Sequence, residues 1–509
     1  MATWDLTLSI DQESEVPLYL QLTRLLIEAI SDGRLPPGSR LPGSRSLALT
    51  TGVHRNTVNA AYDELLAEGW ITSSPRSGTY VNDALPAARA GAAAPGVAGN
   101  AASMPGRRHP RKVLEHRETV YRLGPPPARW RSTPSATGRV DLIGGRPDLS
   151  LVPAVELARA YGRVLRRQRS RVLGYGEPRG HERLRAVVAE MLRSTRGLTV
   201  SADHILITSG SQMALYVAVR SLLKPGGCVA VEALGYPAAW ETLRAAGARL
   251  RPVEIDREGL RVDKLARLSV REDVRAVYLT PHHQYPTTVP LSPRRRMELL
   301  QLARARRFAI LEDDYDHEVH FDGHPLVPLA SADRLESVLY IGSLSKIFAP
   351  GLRLGYAVAP PRVVEALAAQ RSVIDLSGNA GMEMAVAELF EEGEVQRHLR
   401  RMARIYRARR DALAEGLEKH LGEVLEFEVP SGGTALWCRL RGEGSPDTWV
   451  ERCRKVGVIF QSGSAFTFRK NSVPAVRIGF TRATEAEIAR AVRAMVACWT
   501  GVGGSRALR

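Results

Sequence analysis

Short apolar segments alternating with helical periodicity constrain this 509-residue chain most. From Val140 onward, 204–208, 228–232, 276–280, 308–311 and 338–341 read as short apolar strands, with helical patterns between most of them. Strands joined through helices pair in parallel, so the stretch reads as an α/β layer fold with a largely parallel sheet. After Met382 the pattern is mostly helical, with later strands at 434–440 and 475–480, which reads as a smaller C-terminal subdomain.

The residues at the ends of these strands narrow the chemistry. The 308–311 strand runs into Glu312-Asp313-Asp314-Tyr315-Asp316, and the 337–341 strand into Gly342-Ser343-Leu344-Ser345-Lys346. A strand-end acid with a tyrosine, then a strand-end Ser-x-Ser-Lys, is what pyridoxal phosphate chemistry needs. The lysine forms the Schiff base, the aspartate holds the pyridinium proton and the hydroxyls take the phosphate. The 205–208 strand ends in Ser209-Gly210-Ser211-Gln212, which opens an apolar helix. Free N–H groups and the dipole at a helix start favour a phosphate. Ser343, Ser345 and Arg353 complete a cradle of three elements, because arginine forks onto phosphate oxygens. Tyr236 follows a strand end and is either a ring-stacking residue or a core tyrosine. Arg477 is a charge inside an apolar strand, so it must meet an anion: a substrate carboxylate or a structural acid.

Composition sets bounds. No run approaches eighteen apolar residues, and Met1-Ala2-Thr3-Trp4-Asp5 reads as neither signal peptide nor presequence. Cys228, Cys438, Cys453 and Cys498 lack metal-ligand spacing and read as thiols of a reducing cytoplasm. The net charge of +17 invites a nucleic-acid partner. Yet residues 1–82 carry six arginines against nine acids, and the excess lies in the linker and the body.

The first eighty residues read as a DNA-binding module. An amphipathic helix over 17–32 puts Leu18, Leu22, Leu25, Leu26 and Ala29 on one face, with Pro17 as its first residue and Gly33 past its end. Next come a short helix near 44–50, a turn at Gly52 and a helix over 55–68 burying Val58, Ala61, Tyr62, Leu65 and Leu66. Strands at 70–72 and 79–81 flank Pro75-Arg76-Ser77-Gly78, giving a winged helix-turn-helix. The helix starting near Arg55 would enter the major groove with Arg55, Asn56, Thr57 and Asn59 on its leading edge. No acid occurs from Gly33 to Tyr62, so positive charge there is local. Residues 83–138 read as a flexible basic linker rich in Ala, Pro, Gly and Arg.

These motifs, in this order, resemble a known family. Residues 140–500 resemble the fold-type I aminotransferases, and the whole chain resembles the MocR subgroup of GntR transcription regulators. The shared motifs are Leu41-Pro42-Gly43-Ser44-Arg45-Ser46-Leu47-Ala48, Tyr175-Gly176-Glu177-Pro178-Arg179-Gly180, Glu312-Asp313-Asp314-Tyr315-Asp316 and Ser343-Leu344-Ser345-Lys346. The resemblance implies a head at 1–82, a linker at 83–138 and a pyridoxal-phosphate-binding domain at 139–509. It implies Lys346 as the Schiff-base lysine, Asp313 as the partner of the pyridine nitrogen in preference to Asp314, and Tyr315 as the tyrosine reaching the ring hydroxyl. Ser211, Gln212, Ser343 and Arg353 match phosphate-contacting positions, Tyr236 the stacking aromatic and Arg477 the carboxylate arginine. Tyr175 resembles a tyrosine reaching the phosphate of a second subunit, implying an obligatory homodimer, with heads packed head-to-tail on opposite subunits. In the head, Arg45 and the wing residues Arg76 and Thr79 resemble DNA contacts.

Departures matter as much. Tyr285 stands where aminotransferases place an asparagine, Thr288 replaces a glycine, and His282 replaces a usual serine. That counts against fast transamination, not against cofactor binding. His282 and His283 have no third ligand at a telling spacing, so the reading is no metal, with both histidines behind the site or facing solvent. The expected function is a cytoplasmic bacterial regulator that binds double-stranded operator DNA and senses pyridoxal phosphate, an amine or an amino acid through an aldimine at Lys346. An active aminotransferase with an attached DNA-binding module is the alternative. Arginine clusters at 163–171, 294–307 and 397–410 read as solvated helix faces or as contacts to bent operator DNA.

Overall fold

The computed structural model describes residues 8–14, 16–74, 78–85, 138–322, 326–469 and 471–499. The chain divides into two compact units, Met1–Thr119 and Val120–Arg509.

The first unit holds helices α1 (Leu18–Ser31), α2 (Ser44–Thr51) and α3 (Arg55–Ala67), then strands β1 (Ile71–Ser74) and β2 (Gly78–Val81). Pro17 precedes α1 as its cap rather than opening it. Gly52 ends α2 at φ +67°, a left-handed turn that glycine adopts without a Cβ clash. Leu22, Leu26, Ala29, Val58, Ala61 and Leu65 are fully buried where α1 and α3 meet. Leu66, expected in this core, is 37% exposed. It falls one step beyond the stripe that Val58, Ala61, Tyr62 and Leu65 make at helical spacing. β1 and β2 pair antiparallel, with Ile71 opposite Val81, so helix, turn, helix and wing are all present.

The second unit is built on a seven-stranded sheet of β3 (Ile205–Thr208), β4 (Cys228–Glu232), β5 (Arg249–Val253), β6 (Val274–Leu279), β7 (Ala309–Asp314), β8 (Val338–Ser343) and β9 (Gly355–Val358). Their order is β3-β9-β8-β7-β6-β4-β5. Only β9 runs antiparallel to its neighbours, β8 and β3. β5 and β9 escape the sequence pattern. β5 is an edge strand whose Arg249 and Arg251 both pair with Glu272 at 2.5 Å, and β9 is a short Gly-Tyr-Ala-Val segment. The interior strands β4, β8 and β9 are buried along their whole length, as expected when helices cover both faces of a sheet. The 28-residue helix Glu394–Leu421 leads into a second sheet of Leu425–Glu426, Ala435–Leu440, Gln461–Ser462 and Ala475–Gly479. Val140–Asp141 pairs with Val458–Ile459, so the segment opening this unit belongs to the C-terminal subdomain.

Most of the clustered arginines are exposed, among them Arg166, Arg167, Arg306, Arg401 and Arg404, while Arg295, Arg409 and Arg410 are buried. Arg163 bonds Glu388 and Glu392, Arg295 bonds Asp256, Arg304 bonds Asp333, Arg409 bonds Asp148, and Arg410 bonds Asp322. Among the described residues, no helix is long and apolar enough to cross a membrane.

Leu22 is fully buried in a small core, so Leu22→Ala should destabilise the head by about 2–5 kcal/mol. Hydrogen exchange on the full-length chain should show faster opening of α1 and α3 with the seven-stranded sheet unchanged.

Candidate cofactor site

The carboxyl ends of parallel strands converge where the strand order reverses, and open sheets of this kind hold their ligands there. A cavity of about 990 Å³ opens at these ends. Its wall includes Ser211, Gln212, Tyr236, Asp313, Tyr315, Ser343, Ser345, Lys346 and Arg353, so the fold gathers residues that span more than 140 positions of sequence.

Ser209, Gly210 and Ser211 link β3 to the helix Ser211–Leu222. Two glycines permit a close approach here. A Cβ on Gly210 would lie 2.9 Å from Arg353 Nη2, and one on Gly355 would lie 2.6 Å from the Gly210 carbonyl carbon. Arg353 donates from Nη2 to the Ser209 carbonyl at 2.7 Å. Its own φ is +52°, a left-handed conformation that non-glycine residues rarely adopt. Such strain persists only where surrounding structure enforces it, and it concentrates at functional sites.

Successive residues at the end of β7 face opposite ways. Asp313 is 4% exposed. Its Oδ2 accepts from the Tyr278 hydroxyl at 2.8 Å, while Oδ1 has no partner. Burial pushes this carboxyl up to about 7, against the Tyr278 hydrogen bond and aided by the charge of Asp314. Asp314 accepts from Tyr340 at 2.7 Å and lies 3.0 Å from His317 Nδ1 and 3.9 Å from Arg196 Nε. Burial would raise it too, but His317, His282 and Arg196 outweigh burial and hold it well below the carboxylate range.

Lys346 donates from Nζ to the Gly145 carbonyl. Burial draws its amine down to about 8, helped by Arg477 and Arg146 and opposed by Asp316 and Asp313. Tyr236 meets Tyr285 edge-on at 5.0 Å, and Tyr285 meets Tyr315 at 5.8 Å. Tyr285 thus fills the position of the missing asparagine with an aromatic wall.

Arg477 is 1% exposed and sits behind this wall. Its Cζ lies 4.5 Å over the Tyr285 ring, and a Cβ on Gly144 would come 2.3 Å from its Nη1. Nε and Nη1 have no partner, and Nη2 reaches Thr434 Oγ1 at 3.5 Å. Among the described residues no acid pairs with it, which removes the structural-acid reading. Tyr175 is 87% exposed and outside the cavity wall. Sequence reading missed Arg146, Arg482 and Tyr278, all in the wall. The Gly144-Gly145 pair before Arg146 was the one available signal, since paired glycines mark close backbone approach.

Residues 140–495 match the family described as Aminotransferase class I and II, and residues 18–81 match Bacterial regulatory proteins, gntR family. The probable rhizopine catabolism regulatory protein MocR of Rhizobium meliloti is 32% identical over 435 residues, which cover 85% of this chain and 83% of that protein. The chain belongs to the MocR-type GntR regulators. The HTH-type transcriptional regulator TauR of Rhodobacter capsulatus is 32% identical, covering 88% of this chain and 89% of that one. Among solved structures, LysN, the alpha-aminoadipate aminotransferase of Thermus thermophilus complexed with N-(5'-phosphopyridoxyl)-L-leucine, superposes with a TM-score of 0.66. It is 31% identical over 71% of this chain and 92% of that chain.

In a MocR-type chain the winged head is the DNA-binding module. Arg45, Arg55 and Asn56 are exposed, while Thr57, Asn59 and Thr79 are half-buried. Arg55 Nε donates to Ser44 Oγ at 3.3 Å, tying the start of α3 to α2. His54 caps α3 by accepting from the Asn56 N–H at 3.2 Å, the work a serine does elsewhere. Arg76 lies outside the described residues.

The lowered Lys346 amine has a kinetic consequence. It is neutral, and so nucleophilic, above about pH 8 rather than above the ordinary lysine range near 10.5. The rate at which added pyridoxal 5'-phosphate attaches should therefore rise with pH through about 8 and level off above it. Arg477→Gln removes a cation that disfavours the ammonium form, so stopped-flow absorbance should place its midpoint at higher pH.

Proposed function

We propose that this chain is a pyridoxal-phosphate-dependent transcription regulator that senses the cofactor, an amine or an amino acid at Lys346 and transmits its state to a DNA-bound head. The observation carrying this reading is the set of groups at one cavity: Asp313 with a free Oδ1, Lys346 with a depressed amine and, behind Tyr285, Arg477 without an acid. These groups fit the cofactor. Asp313 suits a protonated ring nitrogen, the start of the Ser211–Leu222 helix with Ser343 and Arg353 suits a phosphate, and Tyr236 suits a ring face. Tyr315 lines the same wall, within reach of a ring hydroxyl in this reading. Bound pyridoxal phosphate supplies an aldehyde for amines and an electron-withdrawing ring. The phosphopyridoxyl-leucine in LysN supports the same assignment.

Arg477, unpaired and capped by Tyr285, suits the carboxylate of an amino-acid effector. A head over 1–82, a linker over 83–138 and a cofactor domain over 139–509 complete the reading, in a bacterial cytoplasm. A homodimer with heads exchanged between subunits fits the exposed apolar residues Leu173, Tyr175, Val373 and Leu376, near where the Gly176 N–H bonds Ser377 Oγ at 3.0 Å. In that dimer Tyr175 serves the neighbouring cavity. In the head, Arg45, Arg55, Asn56, Thr57 and Asn59 face the major groove, with Arg76 and Thr79 on the wing side. Tyr285 in the asparagine position favours sensing over turnover, because the ring hydroxyl loses an amide donor.

Lys346→Ala decides the matter. Operator affinity of the cofactor-free variant should stay within about twofold of the cofactor-free parent, while candidate amines and pyridoxal phosphate should no longer change it. Fluorescence anisotropy on an operator fragment reads both. A variant that still responds normally to effector overturns the sensing role, and multiple-turnover keto-acid production by the parent establishes an aminotransferase instead.

A further inference from the structure

Behind Asp313, on the opposite face of β7, the fold gathers histidines that are far apart in sequence. His282 and His283 follow β6, and His317 and His320 follow β7. His282 is 5% exposed, and neither of its ring nitrogens has a hydrogen-bond partner. A buried imidazole carries one donor and one acceptor, and leaving both unmet is costly. Both His282 and His283 are buried, which corrects the reading of solvent-facing rings and leaves them behind the site. His282, His283 and His320 bring ligand nitrogens within 4.8 Å of one another, and His282, Asp314 and His317 form an adjoining set.

We propose that His282, His283 and His320 form a binding site for a divalent transition-metal ion of the zinc class. Three imidazoles are a donor set for such ions, with a fourth position left open. A tetrahedral zinc at about 2.0–2.1 Å holds its nitrogens roughly 3.3 Å apart, so on binding the rings would close from the 4.8 Å limit seen in this structure. Asp316 Oδ1 lies 2.9 Å from His283 Nδ1, the carboxylate–histidine arrangement that fixes the tautomer and leaves Nε2 for a metal. Gly432 makes room: a Cβ there would lie 3.0 Å from His283 Cε1 and 3.1 Å from His320 Nδ1. A cavity of about 450 Å³ is lined by His317, Glu318 and His320, which gives an ion a way in. Gly432 forms a bridge with His320, so the ion would lie where the C-terminal subdomain meets the sheet.

The test uses tag-free, full-length protein loaded with pyridoxal phosphate, stripped with chelator and titrated with zinc chloride by calorimetry. One ion per chain should bind, with only nitrogen and oxygen neighbours at the zinc absorption edge. His283→Gln and His320→Gln should each weaken binding at least tenfold, and His317→Gln should change it less than threefold. Thermal melting in chelator establishes that each variant folds, and His320, half-buried at the cavity, tolerates replacement best. Three results overturn the site: binding equal in parent and both variants, a sulfur neighbour, or loss with His317→Gln but not with His320→Gln. None depends on whether the body senses ligand or turns it over.

Discussion

The end of β7 carries three consecutive buried carboxylates, and the second unit is organised around satisfying them. Each ion taken out of water costs several kcal/mol unless partners replace its hydration. Glu312 is met by the N–H groups of Leu329 and Ala330, at 2.8 Å each, at the start of a short helix. Asp314, on the same face of the strand as Glu312, is met by Tyr340, His317 and Arg196. Asp313 between them has one hydroxyl and an empty oxygen. The period-two alternation of a strand thus sorts one acidic run into two structural anchors and one reactive group. The differing electrostatics of Asp313 and Asp314 follow from facing, not from residue type.

Local motifs were legible because their chemistry lies within a few residues of a strand end. Lys346, Ser343 and Asp313 are of this kind, and the strands that present them were readable from apolar runs. Arg146 and Tyr278 were not, since nothing in their neighbourhoods says that a Gly-Gly strap and a mid-sheet hydroxyl converge on the same cavity. The histidine cluster shows the same limit. His282 and His320 stand 38 positions apart, and only the parallel pairing of β6 with β7 makes them neighbours. Strand β5 hid because its arginines alternate with apolar residues and meet Glu272 outside the sheet edge.

Net charge pointed to a nucleic-acid partner, which the gntR-family head supports, but not to where the charge sits. The excess of +17 suggests a polyanion partner, and most of the body's clustered arginines are exposed, though a few are committed to acids inside the fold. Arg295 and Arg410 are buried against Asp256 and Asp322, where a phosphate backbone has no access. Exposed ion pairs contribute little stability, but buried ones fix geometry. The head achieves a basic surface differently, by excluding acids from Gly33 to Tyr62 while leaving Arg45 and Arg55 exposed.

The loss of the asparagine and the isolation of Arg477 are one structural event. Tyr285 supplies a ring face to a guanidinium that has no acid, an attraction worth about 2 kcal/mol or more when desolvated. The same ring touches Tyr236 and Tyr315 in the cavity wall. Arg477 belongs to the C-terminal sheet, and the Gly479 N–H beside it bonds the Leu142 carbonyl at 2.6 Å. The strap from Leu142 to Gly145 then reaches Lys346, whose Nζ donates to the Gly145 carbonyl. Lys346 and Arg477 are thus both tied to the C-terminal sheet, one through the Gly145 carbonyl and the strap, the other from within the strand that also packs against Tyr285.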